Sequence, residues 1–272
     1  MPSPADEIAS LAASVSPTDA APPSGAPPSR PTGYWDTTRS ATYGFLAALP
    51  LFVLYEVGIL LANTGPGEIR VGADVWLKSI LASIGGMGWA ALGAAVVLIG
   101  LGVWWYDRNR RPAIVPRYFV LLIAESLAYA IVLAILVGGV VGLLFGMWVV
   151  PDLVLAQLSE LGLGLQLALS IGAGLYEELV FRVILVGGLF WGLKSLTGLE
   201  QNRAYLIAAV LGALVFSGVH HIGTFGDPFT LSVFTFRFLF GLALNAVFLL
   251  RGFALAAWTH ALYDVLVVTG GL

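Results

Sequence analysis

Residues 174–185 read GLYEELVFRVIL. Two adjacent carboxylates, Glu177 and Glu178, and one guanidinium, Arg182, lie inside an apolar run that extends from about residue 162 to 193. An ionisable side chain at membrane depth costs from ~2.5 kcal/mol upward, so a chain that keeps three in one stretch keeps them for chemistry or for framework. The rest of the chain has the character of that run. Of its 272 residues 58% are hydrophobic and 11% charged, against about 25% charged in an ordinary soluble domain. The expected fold class is all-α, a polytopic transmembrane helical bundle of about seven or eight spans.

Seven apolar segments are long enough to cross a bilayer core of about 30 Å. They are 41–61, 87–106, 118–149, 162–193, 203–220, 229–250 and 253–270. The third and fourth exceed a straight crossing, which predicts tilt or a break. Gly172, Gly174, Gly187 and Gly188 are the candidate irregularities in the fourth. Residues 71–84 fit a surface helix or part of an extra hairpin. Trp104, Trp105 and Trp148 fit interfacial belts.

The first 33 residues are rich in Pro, Ala and Ser and lack a sustained apolar period, so residues 1–38 are expected to be a disordered cytoplasmic tail. They show no basic segment followed by a short apolar one, so the first span is expected to serve as an uncleaved anchor. Residues 39–272 form the transmembrane domain. Arg39, Arg108, Arg110, Arg111, Arg117, Lys194, Arg203 and Arg251 fall on one side of a seven-span count, and Arg70 and Lys78 on the other. The basic side is the cytoplasmic one. This count sets His220 near the outer surface and Glu177, His260 and Asp264 nearer mid-depth. Net charge is −3, without the basic footprint of a nucleic-acid binder. Cysteine is absent, which excludes disulfides, thiolate metal sites and a cysteine nucleophile.

The charges inside spans are few: Glu56, Glu125, Glu177, Glu178, Arg182, Arg237, His260 and Asp264, with His220 and His221 at the end of the fifth. On a helix Glu178 and Arg182, four apart, share a face and pair. Glu177 is turned ~100° from Glu178 and so points elsewhere. It is either a structural partner, with Arg237 as a candidate, or a working carboxylate. Phe216 and His220 are four apart, as are His260 and Asp264, which again gives shared faces. One Glu with two His can hold a metal such as zinc with an open water position, or the Glu can act directly as general base on water. Arg237 reads either as a counter-ion to a cavity carboxylate or as a snorkelling side chain. Glu56 and Glu125 are expected to face the bundle interior, Asn245 to bond across helices, and His221 to lie at an interface or entrance.

The ordered set Glu-Glu-x-x-x-Arg (Glu177, Glu178, Arg182), Phe-x-x-x-His (Phe216, His220) and His-x-x-x-Asp (His260, Asp264) resembles the CPBP family of intramembrane proteases. That family includes the type II CAAX prenyl proteases and relatives linked to bacteriocin processing and self-immunity. The resemblance covers about residues 161–272. It implies an intramembrane endopeptidase with a conical polar cavity among the C-terminal spans. Glu177 and His220 would activate water, with His260 and Asp264 opposite. Glu178, Arg182 and Phe216 would support the site. Where the family pattern has Asn in place of Asp264, that residue could donate to an oxyanion. Here Asp264 would do so only when protonated, and otherwise orients His260 or serves as a metal ligand. A cofactor is either not required, as in glutamic-type hydrolysis, or a divalent metal such as zinc on Glu177, His220 and His260. The partners implied are membrane lipid and a membrane-associated protein or peptide, a bacterial peptide in preference to a prenylated tail. The setting is a cell membrane, read as a bacterial inner membrane. The competing readings are a non-proteolytic transporter and a scaffold or bacteriocin-immunity protein.

Overall fold

The computed structural model describes residues 33–63, 68–83, 88–146, 161–223 and 226–271. Among them every regular element is helical: α1 (Tyr34–Thr38), α2 (Ala41–Ala62), α3 (Gly72–Ser83), α4 (Gly88–Asp107), α5 (Pro116–Phe145), α6 (Leu163–Thr197), α7 (Gln201–Val219), α8 (Leu231–Arg251) and α9 (Phe253–Val268). Five of these, α2, α5, α6, α7 and α8, are long and apolar enough to cross a membrane. The apolar part of α4 and the 16-residue α9 are shorter. The chain is a multi-pass helical bundle, as its composition predicts. Residues 1–32 and Trp148 lie outside the described residues. Residues 34–38, expected to belong to the tail, instead form α1, with Thr37 and Thr38 buried against the bundle. The cause is Arg251, whose guanidinium stacks on Trp35 at 3.9 Å and bonds the Trp35 carbonyl.

The shortest helix among the apolar seven sits at the centre. α9 packs against α2, α5, α6 and α8, and Leu255, Ala256 and Ala257 in it are fully buried. Small side chains allow that close approach between helices that are equally apolar on all sides. Gly174 is the tightest point, because a Cβ there would fall 2.5 Å from the Ala257 carbonyl and 2.6 Å from the Ala261 nitrogen. α8 and α9 are joined through Gly252 alone, at φ +87°, a backbone conformation that glycine adopts without penalty.

α6 is 35 residues long and is not uniform. Between α-helical ends it winds as a π-helix over Ala173–Val186, flanked by Gly172 and Gly187. The irregularity expected from the glycines is therefore a change of winding within a continuous rod. Such wide turns occur often at functional sites. α3 is the surface-type helix allowed by the sequence. At 12 residues it reaches about 18 Å, too short to cross. Its Lys78, with Arg70 just before it, pairs with Glu56 of α2.

Candidate active site

The π-helical segment carries GLYEELVFRVIL, and its two carboxylates diverge. Glu178 is fully buried. Its Oε2 lies 3.0 Å from Arg182 Nε, the pair expected from their spacing. Its Oε1 accepts from His260 Nδ1 at 2.7 Å. Arg182 reaches further: its guanidinium sits 4.4 Å from the centre of the Phe216 ring, and Nη2 donates to the Gly241 carbonyl at 3.5 Å. This one ion pair thus joins α6, α7, α8 and α9. The sequence assigns Glu178 to Arg182 alone and turns Glu177 toward both histidines. Instead, the close approach at Gly174 brings α9 near enough for His260 to reach Glu178.

Glu177 faces the other way. Its Oε2 is 3.5 Å from His220 Nε2 and makes no hydrogen bond, although it is buried. His220 Nδ1 is 2.6 Å from the Phe216 carbonyl. A carbonyl only accepts, so Nδ1 carries the hydrogen and, in the neutral ring, Nε2 is an acceptor. Two acceptors thus lie side by side at the cavity, where a water beside them can donate a hydrogen to each. Across the cavity, His260 Nε2 lies 3.5 Å from Asp264 Oδ2. Phe216 stands between the two imidazoles, with ring centres 4.6 Å from His220 and 6.1 Å from His260.

Glu177, His220, His260 and Asp264 line one cavity of about 210 Å³, together with Arg70, Ser170, Asp227, Arg237 and Tyr263. His220 and Glu177 meet at one depth, contrary to the expectation from span counting. α7 has only 19 residues, so its end stops well short of the start of α6. Asp227 was not singled out by the sequence, yet it fixes the turn behind His220. Its N–H donates to the His220 carbonyl at 2.7 Å, its carbonyl accepts from His221 Nδ1 at 3.0 Å, and its carboxylate accepts from Arg237 Nε at 2.6 Å. Arg237 is accordingly a counter-ion, to a loop carboxylate at the rim of the cavity. The signal was present in GDPF, residues 226–229, a carboxylate in a breaker-rich link ten residues before an arginine inside an apolar run.

Arg70, read from the sequence only for orientation, lines the same cavity. Burial works against its charge, but Glu68, Asp74 and Glu56 outweigh that and raise its pKa above the ordinary guanidinium value. Glu125 faces the interior as expected, held by Arg251. Asn245 Nδ2 bonds the Ala209 carbonyl of α7 at 2.9 Å.

Glu177, His220 and His260 are the residues that would hold a metal. Among the described residues no three His, Asp or Glu side chains converge as a metal site. Both histidines anchor Nδ1, to the Phe216 carbonyl and to Glu178, which leaves Nε2 of each ring as the atom available to a ligand.

Residues 159–266 match the family model described as type II CAAX prenyl endopeptidase Rce1-like. The match coincides with the region whose motifs resemble the CPBP proteases. No curated protein matches the chain, and no solved structure does.

Proposed function

We propose, on the premise that residues 159–266 are a type II CAAX prenyl endopeptidase Rce1-like domain, that this multi-pass membrane protein is an intramembrane endopeptidase of the glutamic type. Its substrate is a membrane-associated protein or peptide, and its setting a bacterial inner membrane. The observation that carries the reading is the unbonded Glu177 Oε2 facing His220 Nε2 at 3.5 Å inside a polar cavity. A buried carboxylate oxygen with no hydrogen-bond donor, beside an acceptor nitrogen, is arranged to receive a proton.

The chemistry follows from which atoms are free. A water in the cavity beside this pair donates one hydrogen to Glu177 and the other to His220 Nε2. As its oxygen attacks the scissile carbonyl, the O–H bond to Glu177 breaks, the C–O bond forms, and Glu177 holds the proton. The carbonyl electrons collect on oxygen as an oxyanion. His260 is the donor for it: Glu178 anchors Nδ1 and supports a positive ring, which leaves an Nε2–H at the cavity. The proton on Glu177 then passes to the leaving nitrogen, the C–N bond breaks, and a carboxylic acid and an amine leave. Asp264, beside His260 Nε2, balances the charge of that ring. Glu178, Arg182 and Phe216 act as positioning residues.

Comparative peptidomics of cells carrying the wild type or Glu177→Gln tests this reading. Peptide termini present only with the wild type support it. Identical termini in both strains, with equal amounts of protein in the membrane, overturn it.

A further inference from the structure

The two ends of the bundle differ in charge, and the cavity belongs to one of them. Thr42, at the start of α2, donates its N–H to Asp107 at the end of α4 at 2.7 Å. Tyr43 donates its hydroxyl to the Ala113 carbonyl just before α5 at 3.0 Å. Arg251, at the end of α8, bonds the Trp35 carbonyl just before α2. Phe190, near the end of α6, packs on Tyr205 at the start of α7. These contacts gather Arg39, Arg108, Arg110, Arg111, Arg117, Lys194 and Arg203 at a single end.

The other end is built from opposite termini of the same helices. Glu56, late in α2, holds Arg70 and Lys78. Gly58 of α2 packs on Ala168, early in α6. Among the described residues Arg70, Lys78 and Arg237 are the basic residues of this end, and each is paired with a carboxylate, the first two with Glu56 and Asp74 and the third with Asp227. The cavity lies here, with Arg70, Val71 and Gly72 in its wall beside Glu177, and with His220 and Asp227 where α7 gives way to the link before α8. Because α3 is too short to cross, it does not reverse the sense of any later helix.

Positive residues in short connections stay on the cytoplasmic side. We infer that the catalytic cavity opens on the non-cytoplasmic face of the membrane, and that its substrate is a peptide segment reaching it from that face: an exported, membrane-held peptide or the outward juxtamembrane stretch of another membrane protein. A tail confined to the cytoplasm meets the basic end, remote from Glu177 and His220. The substrate half of this inference rests on the endopeptidase reading; the orientation half does not. The rim suits such a partner. Ile222, Phe229 and Leu231, on the link that follows His220, are 73%, 68% and 63% exposed. Apolar side chains at that level sit in the interface, where a membrane-held peptide lies.

The absence of cysteine makes the orientation directly measurable. Thr269→Cys places a thiol just past α9 on the cavity side, and Ser195→Cys places one in the last turn of α6 on the basic side. Both positions are exposed. In intact cells a membrane-impermeant maleimide should label Thr269→Cys, and should label Ser195→Cys only after permeabilisation. The reverse pattern overturns the inference. Ile222→Cys and Asn109→Cys form a second pair, should either of the first fail to accumulate. The substrate half is read from the Glu177-dependent termini. Termini in outward-facing segments support it, and termini in cytoplasmic segments overturn it. A total lack of such termini overturns the endopeptidase reading, while the labelling still decides the orientation.

Discussion

Two buried charge clusters occupy this bundle, and they differ in how completely their atoms are bonded. At the basic end, Arg251 holds Glu125 through Nε at 2.7 Å and Nη2 at 2.8 Å, in a bidentate pair. The same guanidinium also bonds Thr38 Oγ1 at 3.0 Å and the Trp35 carbonyl at 3.2 Å, and Tyr34 donates its hydroxyl to Glu125. Each guanidinium nitrogen of Arg251 has an acceptor. At the cavity end the corresponding pair is less complete: Glu178 and Arg182 close to 3.0 Å, but Glu178 Oε2, Arg182 Nε and Arg182 Nη1 make no hydrogen bond, and Glu177, one residue away, also has an oxygen bonded to nothing. A satisfied cluster in hydrocarbon is a staple. An unsatisfied one beside a cavity retains bonding capacity for water and substrate, at a cost that the neighbouring staple helps to offset.

The sharpest way to break this comparison is to neutralise the adjacent carboxylates one at a time. Glu177→Gln should leave a folded, inserted protein whose cleavage falls by about 10²–10⁴-fold, the range lost with a general base. Glu178→Gln should instead lower yield and thermal midpoint, since removing one partner of a buried pair costs ~3–5 kcal/mol. If the two variants match in both thermal midpoint and turnover, the division between framework and working carboxylate fails. Glu125→Gln should resemble Glu178→Gln in thermal midpoint while keeping turnover per folded molecule. Loss of turnover at an unchanged midpoint would make the basic-end cluster more than a staple.

A milder intervention tests how the framework is brought together. Gly174→Ala forces a methyl group against the Ala257 carbonyl and the Ala261 nitrogen, both backbone atoms that cannot swing away. Over-packing of this kind costs ~1–3 kcal/mol. Because His260 reaches Glu178 only through that close approach, turnover should fall together with the midpoint. A variant with wild-type turnover would show that the approach at Gly174 is not what sets the site.

What the sequence revealed depended on distance along the chain. Pairs four apart on one helix, Glu178 with Arg182 and Phe216 with His220, follow from helical geometry alone, and run length was enough to find the apolar helices. Glycines 172 and 187 marked where α6 changes winding, although periodicity says nothing about a π-helix. The contacts that complete the site were hidden because they join remote residues: Glu178 to His260 across 82 positions, and Glu125 to Arg251 across 126. The depth of His220 was misread for a related reason. A span count treats every crossing as equal, whereas α7 is much shorter than α6.

The turn held by Asp227 supplies the finest test, because it touches the site without touching the reacting atoms. Asp227→Asn keeps the size of the side chain and leaves the backbone N–H and carbonyl that hold His220 and His221. It removes the charge that holds Arg237. His220 should then shift by a fraction of an ångström relative to Glu177. A misplacement of about 1 Å costs up to ~10²-fold, so a loss of roughly tenfold is expected. It should appear mainly in kcat, because the shift acts on the geometry between His220 and Glu177. Arg237→Gln should produce the same loss, and the double variant no more than either alone, since both remove one ion pair. Additive losses would mean that Arg237 acts on the cavity directly. An unchanged kcat in Asp227→Asn would mean that the backbone bonds of the turn are enough to hold His220 in place.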